Sequence, residues 1–296
     1  MELFKRRSLP SELLAEIRNL HFQTKRFADE GVIGQYRSAF RGHGIEFEEL
    51  REYVPGDDIR SIDWKVTARL GRPYVKRYRE ERELSVMLAV DVSASTRTGT
   101  KSQVREEIVA QVAALLTLVA LRNNDKVGLV TFSDRIETFH PPRKARSAVW
   151  RILHEVLSPE VSSSGTDIDG VCRFLNNVLG KPSIVFLISD FFATGYESSL
   201  ALLAKRHDLT AVSVRDPGDT ELPDLGLIRL RDPETGKACL VDTSDPIWRA
   251  EYLDNANAWR EKAKHTFSKN RIGLLELYTD QPVIAPLKRY LRDRKS

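Results

Sequence analysis

Leu84-Ser-Val-Met-Leu-Ala-Val-Asp91-Val-Ser93-Ala-Ser95 is the stretch on which the reading of this chain turns. Val86 to Val90 is an unbroken apolar run, too short for a helix that packs on its own, and it ends in an acid. The same design recurs. Lys126–Asp134, Ser183–Asp190, Leu209–Asp216 and Gly273–Asp280 are each short, rich in Val, Ile and Leu, and closed by an aspartate. Between them lie segments of helical length at 102–122, 145–157, 167–179, 196–207, 246–269 and 281–292. Continuously apolar strands alternating with longer helices predict a mostly parallel sheet with helices on both faces. The fold class is therefore α/β, a doubly wound, Rossmann-type sheet. Such a sheet binds its ligands beyond the carboxyl ends of the strands, where the strand order reverses.

The acids at those ends are the candidate functional residues. Asp91 is followed by Ser93 and Ser95, and alternate residues of a turn can converge on one point. One carboxylate and two hydroxyls are hard oxygen donors of the kind Mg²⁺ takes. Thr166, in Gly165-Thr166-Asp167, offers a third hydroxyl before a helix, and Asp190 ends a strand that lies beside the Asp91 strand if the order is 3-2-1-4-5-6. Each also has a plainer reading as a helix cap. The alternating stretch from Arg135 to His140 reads as an edge strand, and Leu227–Asp242 as a hairpin turning at Glu234-Thr235-Gly236.

The region before Leu84 has another character. An amphipathic helix is expected near 10–30, Pro55-Gly56-Asp57-Asp58 marks a turn, and Tyr74–Glu83 can form a strand. Domain limits follow: a charged extension over 1–83, then an α/β domain over 84–296 with a hairpin insertion near 224–243. Glu46, Glu48, Glu49, Arg51, Glu52, Asp57, Asp58, Arg60, Asp63 and Arg69 are expected to form a salt-bridge network around Tyr53 and Trp64.

The series Asp91-x-Ser93-x-Ser95, Thr166 and Asp190 resembles the metal-ion-dependent adhesion site of von Willebrand factor A domains, over residues 84–292. The resemblance implies Mg²⁺ or Mn²⁺ held by Ser93, Ser95 and Thr166, with Asp91 and Asp190 binding directly or through water. A partner's acidic side chain then completes the coordination. Gly42 to Leu84 (GHGIEFEELREYVPGDDIRSIDWKVTARLGRPYVKRYREEREL) is very similar to the signature of the bacterial domain-of-unknown-function family 58. That resemblance implies a MoxR-type AAA+ ATPase, or its client, as partner in assembly or chaperone-like work. Many relatives carry two N-terminal membrane helices, and none is read here.

Bulk properties exclude several classes. Forty-six basic against 42 acidic residues leave a net charge of +4, too even for a dedicated nucleic-acid binder. Cys172 and Cys239 form no CxxC pair, which fits a reducing compartment. The longest apolar run, Ile108–Leu121, is too short to cross a bilayer, and no signal peptide is read. Cytoplasmic residence without membrane insertion is the expectation. Thr98–Ser102 lacks the leading glycine of a phosphate-binding loop and sets Thr100 between Gly99 and Lys101, and no nucleophile elbow is present. The expectation is an interaction module and not an enzyme. The alternative is a Mg²⁺-dependent phosphoryl hydrolase using the same metal site, for which no general base is evident.

Overall fold

The five aspartate-closed runs become strands of a single sheet. The computed structural model of the chain describes residues 32–40, 44–81, 84–97, 104–144, 148–157, 165–220, 223–231 and 237–294. Its elements in chain order are α1 (Ile33–Ala39), β1 (Gly44–Glu52), α2 (Trp64–Leu70), β2 (Tyr74–Glu81), β3 (Ser85–Asp91), α3 (Arg105–Arg122), β4 (Lys126–Phe132) and β5 (Ile136–Arg143). There follow α4 (Ala148–Leu157), α5 (Ile168–Val178), β6 (Ile184–Ser189), α6 (Glu197–Arg206), β7 (Asp208–Arg215), β8 (Leu227–Arg231), β9 (Ala238–Asp242), α7 (Pro246–Lys269), β10 (Gly273–Tyr278) and α8 (Ile284–Asp293). The helix expected near 10–30, Ser164 and the turn at 234–236 lie outside the described residues.

Six strands pair in the order β10-β7-β6-β3-β4-β5, with only β5 antiparallel. Numbered within the sheet this is 3-2-1-4-5-6, the doubly wound order expected. β3 is central and β6 is its neighbour. Side chains alternate along each strand, so Met87, Ala89, Val185, Leu187, Leu209 and Ala211 share one face. They pack with Val171, Leu175, Leu200, Leu203 and Phe267 from α5, α6 and α7. The opposite face takes α3, which touches β3, β4 and β7 and shares no residue with that cluster. Helix α3 is buried nearly all round, as its unbroken apolar sequence demands.

β5 runs beyond His140 to Arg143 and includes Pro141 and Pro142. Proline donates no ladder hydrogen bond, and an edge strand tolerates that. The hairpin pairs Leu227 with Asp242 and Arg231 with Ala238, as expected.

Residues 40–84 form a separate compact unit, while α1 groups with the residues from 85 onward. In the smaller unit β1 and β2 make an antiparallel pair of their own. Its acids tie the connecting segment together. Asp57 takes the Arg51 guanidinium at 2.6 Å and the Val54 amide at 3.0 Å. Asp63 caps α2 through the Lys65 and Val66 amides and pairs with Lys76 at 2.9 Å. Glu52 pairs with Arg72 at 3.2 Å. The network is therefore real but local, and it does not surround Trp64, which is 66% exposed. Arg60 and Arg69 make no ion pair among the described residues.

Candidate metal site at the carboxyl edge of the sheet

β3 lies between β4 and β6, so the chain leaves it toward one side and later returns on the other. The crevice at such a reversal is the ligand position of doubly wound sheets, and Asp91 stands at its centre.

Register explains the next contacts. Val90 pairs with Ile188, so Ser189 falls beside Asp91. The Ser189 hydroxyl donates to Asp91 Oδ2 at 2.7 Å, and the Ser93 amide donates to Asp91 Oδ1 at 2.9 Å. Ser93 and Ser95 Oγ are 3.1 Å apart, and both residues are buried. These serines do not cap the following helix, since Val104 occupies that position. Thr96 closes the turn by donating to the Ser93 carbonyl at 2.7 Å.

Asp190 follows β6 directly and is buried. Its Oδ1 accepts the Phe192 amide at 3.1 Å, and Phe191 adopts φ 60°, a left-handed conformation that is costly for an aromatic residue. That kink turns the chain sharply after the acid, and Phe191 is anchored against Tyr196 and Phe267. Asp190 caps no helix: α6 begins after Tyr196 without a side-chain cap.

Thr166 arrives by another route. Phe132 is the register partner of Asp91. The next carbonyl, of Ser133, accepts the Asp167 amide at 2.7 Å. The 165–167 segment is thereby tied to the same sheet edge, one strand over. Asp167, not Thr166, is the cap of α5, accepting the Gly170 amide at 2.8 Å.

Burial pushes the Asp91 carboxyl up to about 7, the nearby Asp190 charge adds to the rise, and the Ser93 and Ser189 hydrogen bonds oppose it. Two buried carboxylates whose charges interact repel, and a divalent cation would relieve that repulsion. The donor set of carboxylates and hydroxyls suits hard Mg²⁺ or Mn²⁺, so the residues present fit such an ion.

Three supporting residues carry no signal in local spacing. Ser189 bridges β6 to Asp91. Ser133 anchors the Thr166 segment. Arg105 donates to the Ser95 carbonyl at 3.0 Å and pairs with Asp219. Burial weakens the Arg105 charge, but Asp219, with Asp190 and Asp216 behind it, outweighs that and holds the guanidinium above its usual range. Asp216, the acid that closes the β7 run, caps the turn Pro217–Asp219 and accepts the Thr279 hydroxyl at 2.7 Å. Its role is structural.

Among solved structures, the conserved hypothetical protein BatB from Bacteroides thetaiotaomicron is similar at 15% identity, covering 71% of this chain and 98% of its own, with a TM-score of 0.48. The SpRpn10 VWA domain is similar at 13% identity, covering 69% and 93%, with a TM-score of 0.36. The strand order carries the fold by itself. Among curated proteins, uncharacterized protein Rv1480 of Mycobacterium tuberculosis is 30% identical over 287 residues, 96% of this chain and 90% of its own length. Uncharacterized protein YeaD of Bacillus subtilis is 25% identical over 160 residues, 54% of this chain and 37% of its own. The signature of the family described as protein of unknown function DUF58 matches residues 49–262, reaching from the β1–β2 unit through Asp91, Thr166 and Asp190 into α7. This chain belongs to the DUF58 family.

Proposed function

We propose that the chain is a metal-dependent protein-interaction module of von Willebrand factor A type. Ser93, Ser95 and Thr166 offer hydroxyl oxygens to Mg²⁺ or Mn²⁺, and Asp91 and Asp190 offer carboxylates, directly or through water. The ion supplies an open, Lewis-acidic position that an acidic side chain of a protein partner fills. The chain's own residues do the positioning: Ser189 and the Ser93 amide orient Asp91, and the kink at Phe191 aims Asp190. One observation carries the reading: Asp91 and Asp190 are buried together at the sheet's reversal, beside two hydroxyls 3.1 Å apart.

The partner in this proposal is a MoxR-type AAA+ ATPase or its client, in assembly or chaperone-like work in the cytoplasm. Two features fit that setting. Both cysteines are free, and no helix among the described residues is long and apolar enough to cross a membrane. Nothing observed favours the phosphoryl hydrolase. His140, for example, sits on edge strand β5 at 3.3 Å from Glu155, away from the carboxyl ends of the parallel strands.

Thermal melts with Mg²⁺ or Mn²⁺ against EDTA test the site. At a hundredfold excess over Kd, a ligand contributes about 2.7 kcal/mol, which is a rise of roughly 5–10 °C for a domain of this size. Wild type should show it and Asp91→Ala should not. No rise in wild type sinks the proposal. A pull-down from the native cell with and without EDTA tests the partner: an AAA+ ATPase recovered only with metal supports it. Phosphoester turnover abolished by Asp91→Ala favours the hydrolase instead.

A further inference from the structure

We propose that Arg105 is the positioning residue of the metal loop, fastening it to the turn after β7 so that metal affinity is regulated from the far part of the sheet. This inference rests on the metal-site reading above.

Arg105 is the first residue of α3 and is 6% exposed. Nη1 donates to the Ser95 carbonyl at 3.0 Å, and Nη2 pairs with Asp219. Helix stability does not explain the arrangement. A cation at a helix N-terminus opposes the macrodipole, and burying an ion pair costs desolvation that its attraction barely offsets. What the guanidinium accomplishes is a connection. Strands β3 and β7 are separated by β6, and the planar fork spans that gap, holding backbone on one side and carboxylate on the other.

The connection continues beyond Asp219. Its Oδ2 accepts the Asp216 amide at 2.9 Å, and Asp216 accepts the Gly218 amide at 2.8 Å and the Thr279 hydroxyl at 2.7 Å. The Gly218 carbonyl accepts the Tyr252 hydroxyl at 3.1 Å. Ser95, a candidate metal ligand, is thus linked through Arg105 to the turn, to the residue after β10 and to α7. A displacement of the turn or of α7 is transmitted to the backbone of Ser95, and metal binding is transmitted back.

The test is calorimetric titration of MgCl₂ into wild type, Arg105→Lys, Asp219→Asn and the double variant, with melting temperatures in EDTA. Lysine keeps the charge and loses the fork; Asp219→Asn is the independent second variant should Arg105→Lys not fold. Loss of an orienting outer-shell contact lowers metal affinity by about 10–100-fold. Each single variant should bind Mg²⁺ about tenfold more weakly and the double no more weakly than the worse single; the apo melting temperature of Asp219→Asn falls as well, because the buried guanidinium loses its partner, so affinity is the deciding readout. If wild type binds and the single variants match it within about twofold, or merely melt lower, Arg105 is a structural ion pair; the inference falls and the metal site stands. Losses that multiply in the double variant also overturn the link. No binding by wild type removes the metal reading and the inference together.

Discussion

Asp91 is held where its ionisation works against the fold. Its carboxyl is pushed up to about 7 by burial first and Asp190 second, whereas an unfolded aspartate titrates near 3.9. For a group raised in the folded state, the stability is fully present below the unfolded value and is lost as pH rises through the folded one. The metal-free protein therefore loses stability between about pH 4 and pH 7 on this account. Asparagine keeps an oxygen for the Ser93 amide, can donate its N–H to the Ser189 hydroxyl, which already accepts the Phe191 amide, and removes the charge. Asp91→Asn in EDTA should be more stable than wild type at pH 8, by on the order of 2 kcal/mol. The difference should vanish by about pH 4. Urea melts at both pH values measure it. A variant no more stable than wild type at pH 8 means that the two carboxylates do not strain the fold.

The strands were legible because burial on both faces leaves a continuous apolar run, and β3, β6, β7 and β10 match their runs to within about two residues. The sequence also holds the candidate ligands in order, since Asp91, Ser93 and Ser95 are local. What it does not hold is the far contact. Ser189 meets Asp91 across 98 positions and Arg105 meets Asp219 across 114, and only strand order and register bring them together. Trp64 misled for the same reason: an aromatic among charges looks like the centre of a network, yet the charges tie turns locally and leave it exposed. Gly128 is a further case. Within β4 it looks like a weak point, since glycine is costly in a strand and alanine normally gains about 0.5–1 kcal/mol there. A Cβ at this position would meet Met87 Cε at 2.7 Å and, less forgivingly, the His140 carbonyl oxygen and Pro142 nitrogen at 2.8 Å. The β4–β5 register is irregular at that point, which lets β5 backbone approach. Gly128→Ala should thus reverse the usual sign and destabilise by about 1–3 kcal/mol, read as a lower urea midpoint with unchanged slope. A raised midpoint shows that β5 can move away.

At the scale of the molecule, the proposed metal site sets metal and proton in competition for one carboxylate, and the pH profile tests it. In the proposed site Mg²⁺ would bind ionised Asp91, so binding would release a proton below about pH 7 and affinity would grow as pH rises. A second group shapes the pH dependence of stability itself. His207 is buried at the α6–β7 junction with neither ring nitrogen partnered among the described residues. Burial first, then the Arg206 charge, lowers its basicity. For a base depressed in the folded state, the stability is present above the unfolded value near 6.5 and is lost as pH falls below it. His207 weakens the metal-bound and metal-free forms alike, so it cancels in their difference. The rise in melting temperature with Mg²⁺ over EDTA should therefore be small at about pH 5.5, grow through 7 and level off near 8. Titration at about pH 6 in buffers of different protonation enthalpy should show close to one proton released per Mg²⁺ bound. A rise that is the same at both ends of that range means that the ion does not bind the Asp91 carboxylate.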